Sequence, residues 1–195
     1  MVITTKQLLE NYKSYAVPKM KIKREIDAGK YFYINRGLYE DNESTPSYLL
    51  SGYIKSPSYI SFEYALSFYG VIPESVTTVT SATTGTNHHN VYKNRFGVFS
   101  YRDVPSKVFL NELIYVEKDG YSYIMATKEK ALCDYLYIRE PISNYKDFKS
   151  FLFDGLRVEK EELDNMNHKT LIELSKLYRK QNLYHLERLV KELYE

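Results

Sequence analysis

Cysteine occurs once in this 195-residue chain, at Cys133. A single thiol excludes an intramolecular disulfide framework and any cysteine-rich zinc or iron–sulfur site. Long apolar runs are missing too. The longest stretch without a formal charge, Ser75 to Tyr92, is filled with Thr, Ser, Asn and His, so no segment has the composition to span a bilayer. The opening residues, Met1 to Gln7, lack the apolar core of a signal peptide. No Gly-rich phosphate loop, no G-x-S-x-G elbow and no internal repeat occurs. The expectation is a protein of a reducing compartment, cytoplasmic and away from membranes. A chain of this length can bury roughly 70% of its unfolded surface and needs neither disulfides nor metal to fold.

The net charge is only +2, but its distribution is uneven. Residues 1–40 carry eight bases and four acids, leaving 19 bases and 21 acids for the rest. A head of +4 on a body of −2 suggests a polyanion-binding module attached to something else. The 21 tyrosines accompany abundant Lys, Asn and Ile, as in a chain from an AT-rich genome. Their number is therefore read as composition before it is read as a set of stacking surfaces.

The head has the pattern helix, helix, hairpin. Thr4 and Gln7 form a capping-box pair ahead of Leu8, Leu9 and Tyr12. Pro18 suits the first turn of a second helix running to Ala28, and Gly29 suits its left-handed end. At 100° per residue, Pro18, Ile22 and Ile26 share one face, and Met20 and Arg24 lie opposite, flanked by Lys21 and Lys23. After Gly29 the period becomes two: Tyr31 to Ile34, a turn at Asn35-Arg36-Gly37, then Leu38-Tyr39. A basic helix followed by a hairpin with arginine at its tip fits a winged helix-turn-helix, with the helix in the major groove and the arginine on backbone or minor groove. It fits an ordinary solvated Lys-rich helix equally well. Two helices stand where three are usual, so the module is abbreviated, or a short turn around Tyr12 to Ala16 replaces the middle helix. The candidate DNA-contacting residues are Lys19, Lys21, Lys23, Arg24, Lys30 and Arg36; six phosphate contacts would give a log–log salt slope of roughly −5.

The expected fold class is α+β: this head over residues 1–42, a mixed α/β domain over 43–140 and a helical subdomain over 141–195. In the body, Ser44-Thr45-Pro46 is expected to open a helical turn at Tyr48 to Leu50, and Ser61 to cap a helix ended by Gly70. Val76–Thr80 is expected as a strand and Ser81–Asn90 as a loop. Further strands are expected at Phe96–Tyr101, Leu113–Val116 and Tyr121–Met125, and Thr127 should cap a helix carrying Ala131, Leu132, Tyr135 and Leu136. Three apolar stripes mark the tail: Phe148, Phe151 and Leu152; Leu171, Leu174, Leu177 and Tyr178; Leu186, Leu189, Val190 and Leu193.

Groups that would carry catalysis are scattered. His88 and His89 are adjacent, a poor spacing for one metal, and His168 and His185 are expected on the surface or at a helix start. Glu161-Glu162 have the look of first-turn helix charges. Asp134 beside Cys133 would raise the thiol pKa and argues against a nucleophile. Glu129, Lys130 and Asp134 suggest a nuclease centre only weakly and are read as a helix-cap and surface pair. No enzyme activity, cofactor or metal is expected. The rival of another class is a metal-dependent nuclease or nucleotide-modifying enzyme with a DNA-targeting head, for which Asp103, Glu129 and Asp134 would be the first carboxylates to mutate.

Four segments, in order, resemble the AbiEi family of antitoxins from bacterial type IV toxin–antitoxin systems. They are Ile34–Tyr39, Ser61–Glu74, Phe96–Arg102 and Ala126–Asp134. The similarity covers about residues 5–140; the tail matches less clearly, and the family's usual head has three helices. The resemblance implies an N-terminal winged helix that binds inverted repeats of double-stranded DNA in its own promoter, and a C-terminal domain that counteracts a nucleotidyltransferase-type toxin. A module this small is expected to hold one half-site weakly, so useful affinity calls for two copies on a repeat, a homodimer formed intrinsically or only on the DNA. It implies no stable contact with that toxin. A plain transcriptional regulator without a toxin is the remaining alternative.

Overall fold

Short-range signals build the first elements. The computed structural model describes residues 1–86 and 88–195. Strand β1 (Val2–Thr4) leads directly into helix α1 (Thr5–Asn11) through the Thr4 cap: the Gln7 N–H donates to the Thr4 hydroxyl at 3.2 Å, and the Thr4 N–H donates to Gln7 Oε1 at 2.8 Å. Turns, with no middle helix, join α1 to α2 (Pro18–Asp27). Proline at its first position starts α2, and Gly29, at φ +74°, reverses the chain after it. Strands β2 (Phe32–Asn35) and β3 (Leu38–Glu40) follow. The short sheet has the order β1-β3-β2 and is antiparallel throughout. The sequence pattern did not reveal β1, because three residues ahead of a cap carry too little periodicity to register.

The larger part is mixed α+β. A 3-10 turn (Ser47–Leu50) and helix α3 (Ser51–Ile54) precede strand β4 (Tyr59–Ile60) and helix α4 (Phe62–Phe68). Then come β5 (Val79–Thr83), β6 (Asn90–Asn94), β7 (Gly97–Asp103), β8 (Leu113–Lys118) and β9 (Tyr121–Ala126). The six strands run in the order β6-β7-β5-β4-β9-β8, with β5–β7 and β4–β9 parallel and the other neighbours antiparallel. Helix α5 (Lys128–Ile138) crosses behind, and α6 (Tyr145–Ser150), α7 (Lys160–Asp164), α8 (His168–Tyr178) and α9 (Gln181–Tyr194) complete the chain. Among the described residues no helix is long and apolar enough to cross a membrane.

Two expectations fail at β5. The strand begins at Val79, three residues late, and Ser81, Ala82 and Thr83 of the expected loop are buried strand residues. Small side chains fit between β4 and β7, and their hydroxyls find backbone acceptors: Thr80 donates to the Ser61 carbonyl at 2.6 Å and Thr83 to that of Pro57 at 3.1 Å. Asn87, in the same expected loop, lies outside the described residues. Ser61 does not cap α4 with its hydroxyl; the Tyr64 N–H donates to Thr80 Oγ1 instead, at 3.0 Å. In the tail stripes, Leu177 and Leu193 are exposed rather than packed.

Candidate nucleic-acid interface

The head packs around Leu8, Tyr12, Ile22 and Tyr31, all buried, with Ile3, Leu9, Ile26 and Tyr39 closing the edges. Ile22 thus fixes the inner face of α2, a burial worth about 1.5–3 kcal/mol. A rotation of 100° per residue then sends Lys19, Met20, Lys23 and Arg24 into solvent. Met20 is 55% exposed, an apolar side chain held among cations.

The six predicted contact residues divide into two groups. Lys19, Lys23, Arg24 and Arg36 are exposed, and none has an ion pair among the described residues. Lys21 and Lys30 are tied down by Glu25. Lys21 pairs with Glu25 one turn on, and Lys30 approaches Glu25 at 3.4 Å. Lys30 also donates to the Tyr12 hydroxyl at 3.1 Å, and that hydroxyl lies 3.2 Å from the Tyr31 hydroxyl. The hydrogen bond from Lys21, then that from Lys30, holds the Glu25 carboxyl below its ordinary value. Lys21 is raised mainly by its bond to Glu25; Lys30 is raised first by Tyr12, then by Tyr31 and Glu25. The Lys21 ammonium also lies over the Tyr12 and Tyr15 rings, at 5.9 and 5.3 Å from their centroids. The i,i+4 spacing of Lys21 and Glu25 was readable from sequence, whereas the reach of Lys30 back across the turn was not.

Arg36 stands at the hairpin tip, where its backbone N–H donates to Asn35 Oδ1 at 2.8 Å. Gly37, at φ +76°, lets the turn close, and its carbonyl accepts the Thr5 N–H at 2.9 Å. The tip is therefore pinned to the start of α1. The hairpin also rests on the body. Asn94 Nδ2 donates to the Ile34 carbonyl at 2.8 Å, Asn35 Nδ2 to that of Ile54 at 3.3 Å, and the Arg95 guanidinium covers the Phe32 ring at 4.2 Å. Ile34 joins the larger core. Tyr121 donates to the fully buried Glu40 at 2.7 Å, adding a further tie. These bonds hold the cationic surface in a fixed relation to the sheet behind it.

The carboxylates named for an enzymatic rival lie apart from this surface. Asp103 accepts from the Thr86 N–H and hydroxyl at 2.7 and 2.6 Å at the end of β7. Glu129 is buried and accepts the Asn167 N–H at 2.8 Å. Asp134 and Lys130 form no surface pair: both are fully buried, 3.0 Å apart. Asp134 further accepts from Ser61 at 2.7 Å, Tyr59 at 3.0 Å and Tyr178. Burial, followed by the Asp134 charge, pushes the Tyr59 and Tyr178 hydroxyls up. The surface reading fails because α5 is buried on all sides from Glu129 to Leu136, so no polar face advertises which charges lie inside. Cys133 is buried, and desolvation is the main reason its thiol is raised, with Asp134 adding to it. His168 does begin a helix, but His185 is buried within α9, where it bonds the Ile142 carbonyl at 3.0 Å. Among the described residues no group of three or more His, Cys, Asp or Glu side chains could hold a metal ion. No protein-family model and no curated protein matches the chain.

Proposed function

We propose that the chain is a DNA-binding antitoxin and transcriptional autorepressor of a bacterial type IV toxin–antitoxin operon, acting in the cytoplasm without cofactor or turnover. On this reading residues 1–42 are an abbreviated winged helix-turn-helix whose α2 enters the major groove of promoter inverted repeats, with Arg36 at the wing. Residues 43–140 are the antitoxin domain and 141–195 its helical extension. The observation that carries the DNA-binding half is the placement of Met20 and Arg24 in solvent opposite the buried Ile22 on α2, with Lys19 and Lys23 exposed along one flank. Four unpaired cations on α2 and the hairpin can meet phosphates and base edges without first breaking an internal bond. The antitoxin half rests on the four-segment resemblance to the AbiEi family, and so does the toxin of nucleotidyltransferase type.

A gel shift with duplex DNA from the region upstream of the gene tests the first half. The wild-type chain should retard it, and Arg24→Ala and Arg36→Ala should each weaken retention while circular dichroism stays unchanged. Equal retention in both variants at moderate salt would remove the model. For the second half, co-expression with the product of the adjacent gene should relieve growth arrest; an adjacent product that is harmless alone would leave a plain regulator.

A further inference from the structure

The exposed side of α2 is not uniformly cationic. Val17, which caps the start of the helix, is 52% exposed, and Met20 in its first turn is 55% exposed. The Val17 carbonyl accepts the Met20 N–H at 3.1 Å, so the two belong to the same opening turn. Arg24 follows Met20 at i+4, about 40° further round the helix. It is exposed and has no ion pair among the described residues. Lys19 and Lys23 border this row on one side, and Lys21, bonded to Glu25, borders it on the other. The row therefore runs from apolar to cationic along the axis.

Phosphates can take the lysines and the arginine of this surface, but they offer nothing to Val17 and Met20. The base edges do. In the major groove thymine projects its C5 methyl group, the apolar feature of that groove, and guanine presents the O6 and N7 acceptors that an arginine grips with two N–H groups. A recognition helix brings its N-terminal residues to the base edges, and Val17 and Met20 stand at that end. Asp27, the exposed acid on the same side, is the last residue of α2, at the far end from them.

We infer that Val17 and Met20 read thymine methyl groups in the major groove and that Arg24 reads a guanine beside them. At a rise of about 1.5 Å per residue, Met20 and Arg24 stand about 6 Å apart along the axis, roughly two base-pair steps of about 3.4 Å. The half-site accordingly carries thymine and guanine within about two base pairs of each other. The lysines on the flanks set affinity through phosphates, and the row between them sets sequence preference. This inference rests on the proposal that α2 enters the major groove, and it adds the bases that α2 selects.

Fluorescence anisotropy with the full chain tests it on two versions of a duplex from the upstream region, one with deoxyuridine in place of every thymidine. The exchange removes the methyl groups and keeps the phosphates and the hydrogen-bonding edges. The wild type should bind the uracil duplex about tenfold more weakly, as expected for the loss of two buried methyl groups. That ratio should hold from low to moderate salt, because both duplexes carry the same phosphates. The double variant Val17→Ala, Met20→Ala should bind both duplexes alike, whereas Arg36→Ala should weaken both and keep the ratio. Replacing guanine by 7-deazaguanine, which lacks the N7 acceptor, should weaken the wild type and leave Arg24→Ala unaffected. Equal wild-type affinity for the thymine and uracil duplexes would overturn the inference and leave DNA binding standing. So would an undiminished ratio in the double variant, or an equal loss on 7-deazaguanine DNA in the wild type and Arg24→Ala. No binding to the thymine duplex at low salt would overturn the DNA-binding proposal itself, and this inference with it.

Discussion

Asp134 illustrates how much one side chain can hold in this chain. It accepts from Lys130, Tyr59, Ser61 and Tyr178, groups drawn from α5, β4, the turn before α4, and α8. Removing the carboxylate leaves a fully buried ammonium unpaired. Asp134→Ala should therefore lower unfolding free energy by about 3–5 kcal/mol, measured by urea denaturation, a large share of a typical total of about 5–15 kcal/mol. A loss below about 1 kcal/mol would mean that Lys130 finds water or another partner. Glu25 is the counterpart in the head. Glu25→Gln weakens the restraint on Lys21 and Lys30 and should steepen the log–log salt dependence of DNA binding from about −4 toward about −5, as two more cations reach phosphates. An unchanged slope would show that the tyrosines, rather than Glu25, hold those lysines.

At the scale of elements, α4 is clamped to its neighbours by one acid. Glu63 bonds Arg102 of β7 in bidentate fashion, one contact at 3.0 Å, and Arg139 after α5 at 3.4 Å. Burial alone would raise the Glu63 carboxyl; the Arg102 bonds and charge, aided by Arg139, outweigh it and hold the group below its ordinary 4.5. A depressed carboxyl stabilises the fold above the unfolded value and loses that contribution as pH falls through the folded one. Glu63→Gln should accordingly flatten the acid limb of the stability curve below about pH 4.5, read from urea midpoints against pH. A limb identical to the wild type's would contradict the clamp. The elements legible from sequence are those set by local chemistry: Thr4 with Gln7, Pro18 with Gly29, and the turn at Asn35-Arg36-Gly37. Illegible ones depend on distant partners. Ser61 bonds an acid 73 residues away, and the two-residue strand β4 exists only because β5 and β9 flank it.

For the whole molecule, the charge asymmetry read from composition becomes a surface: a cationic helix face and hairpin tip, fixed to a larger mixed sheet through Ile34, Asn94 and Glu40. Period and polarity sufficed to choose the exposed side of α2. They could not separate exposed cations from paired ones, which needs the fold of Tyr12, Glu25 and Lys30 around the intervening turn. The account stands on α2 and the hairpin tip meeting duplex DNA together. Its most direct test is the salt dependence of binding to a fluorescently labelled duplex from the upstream region, followed by anisotropy. Four available cations give an expected slope of about −4 per bound protomer, and Arg24→Ala and Arg36→Ala should each make it shallower by about one. Slopes that match the wild type in both variants, or no binding at low salt, would contradict it.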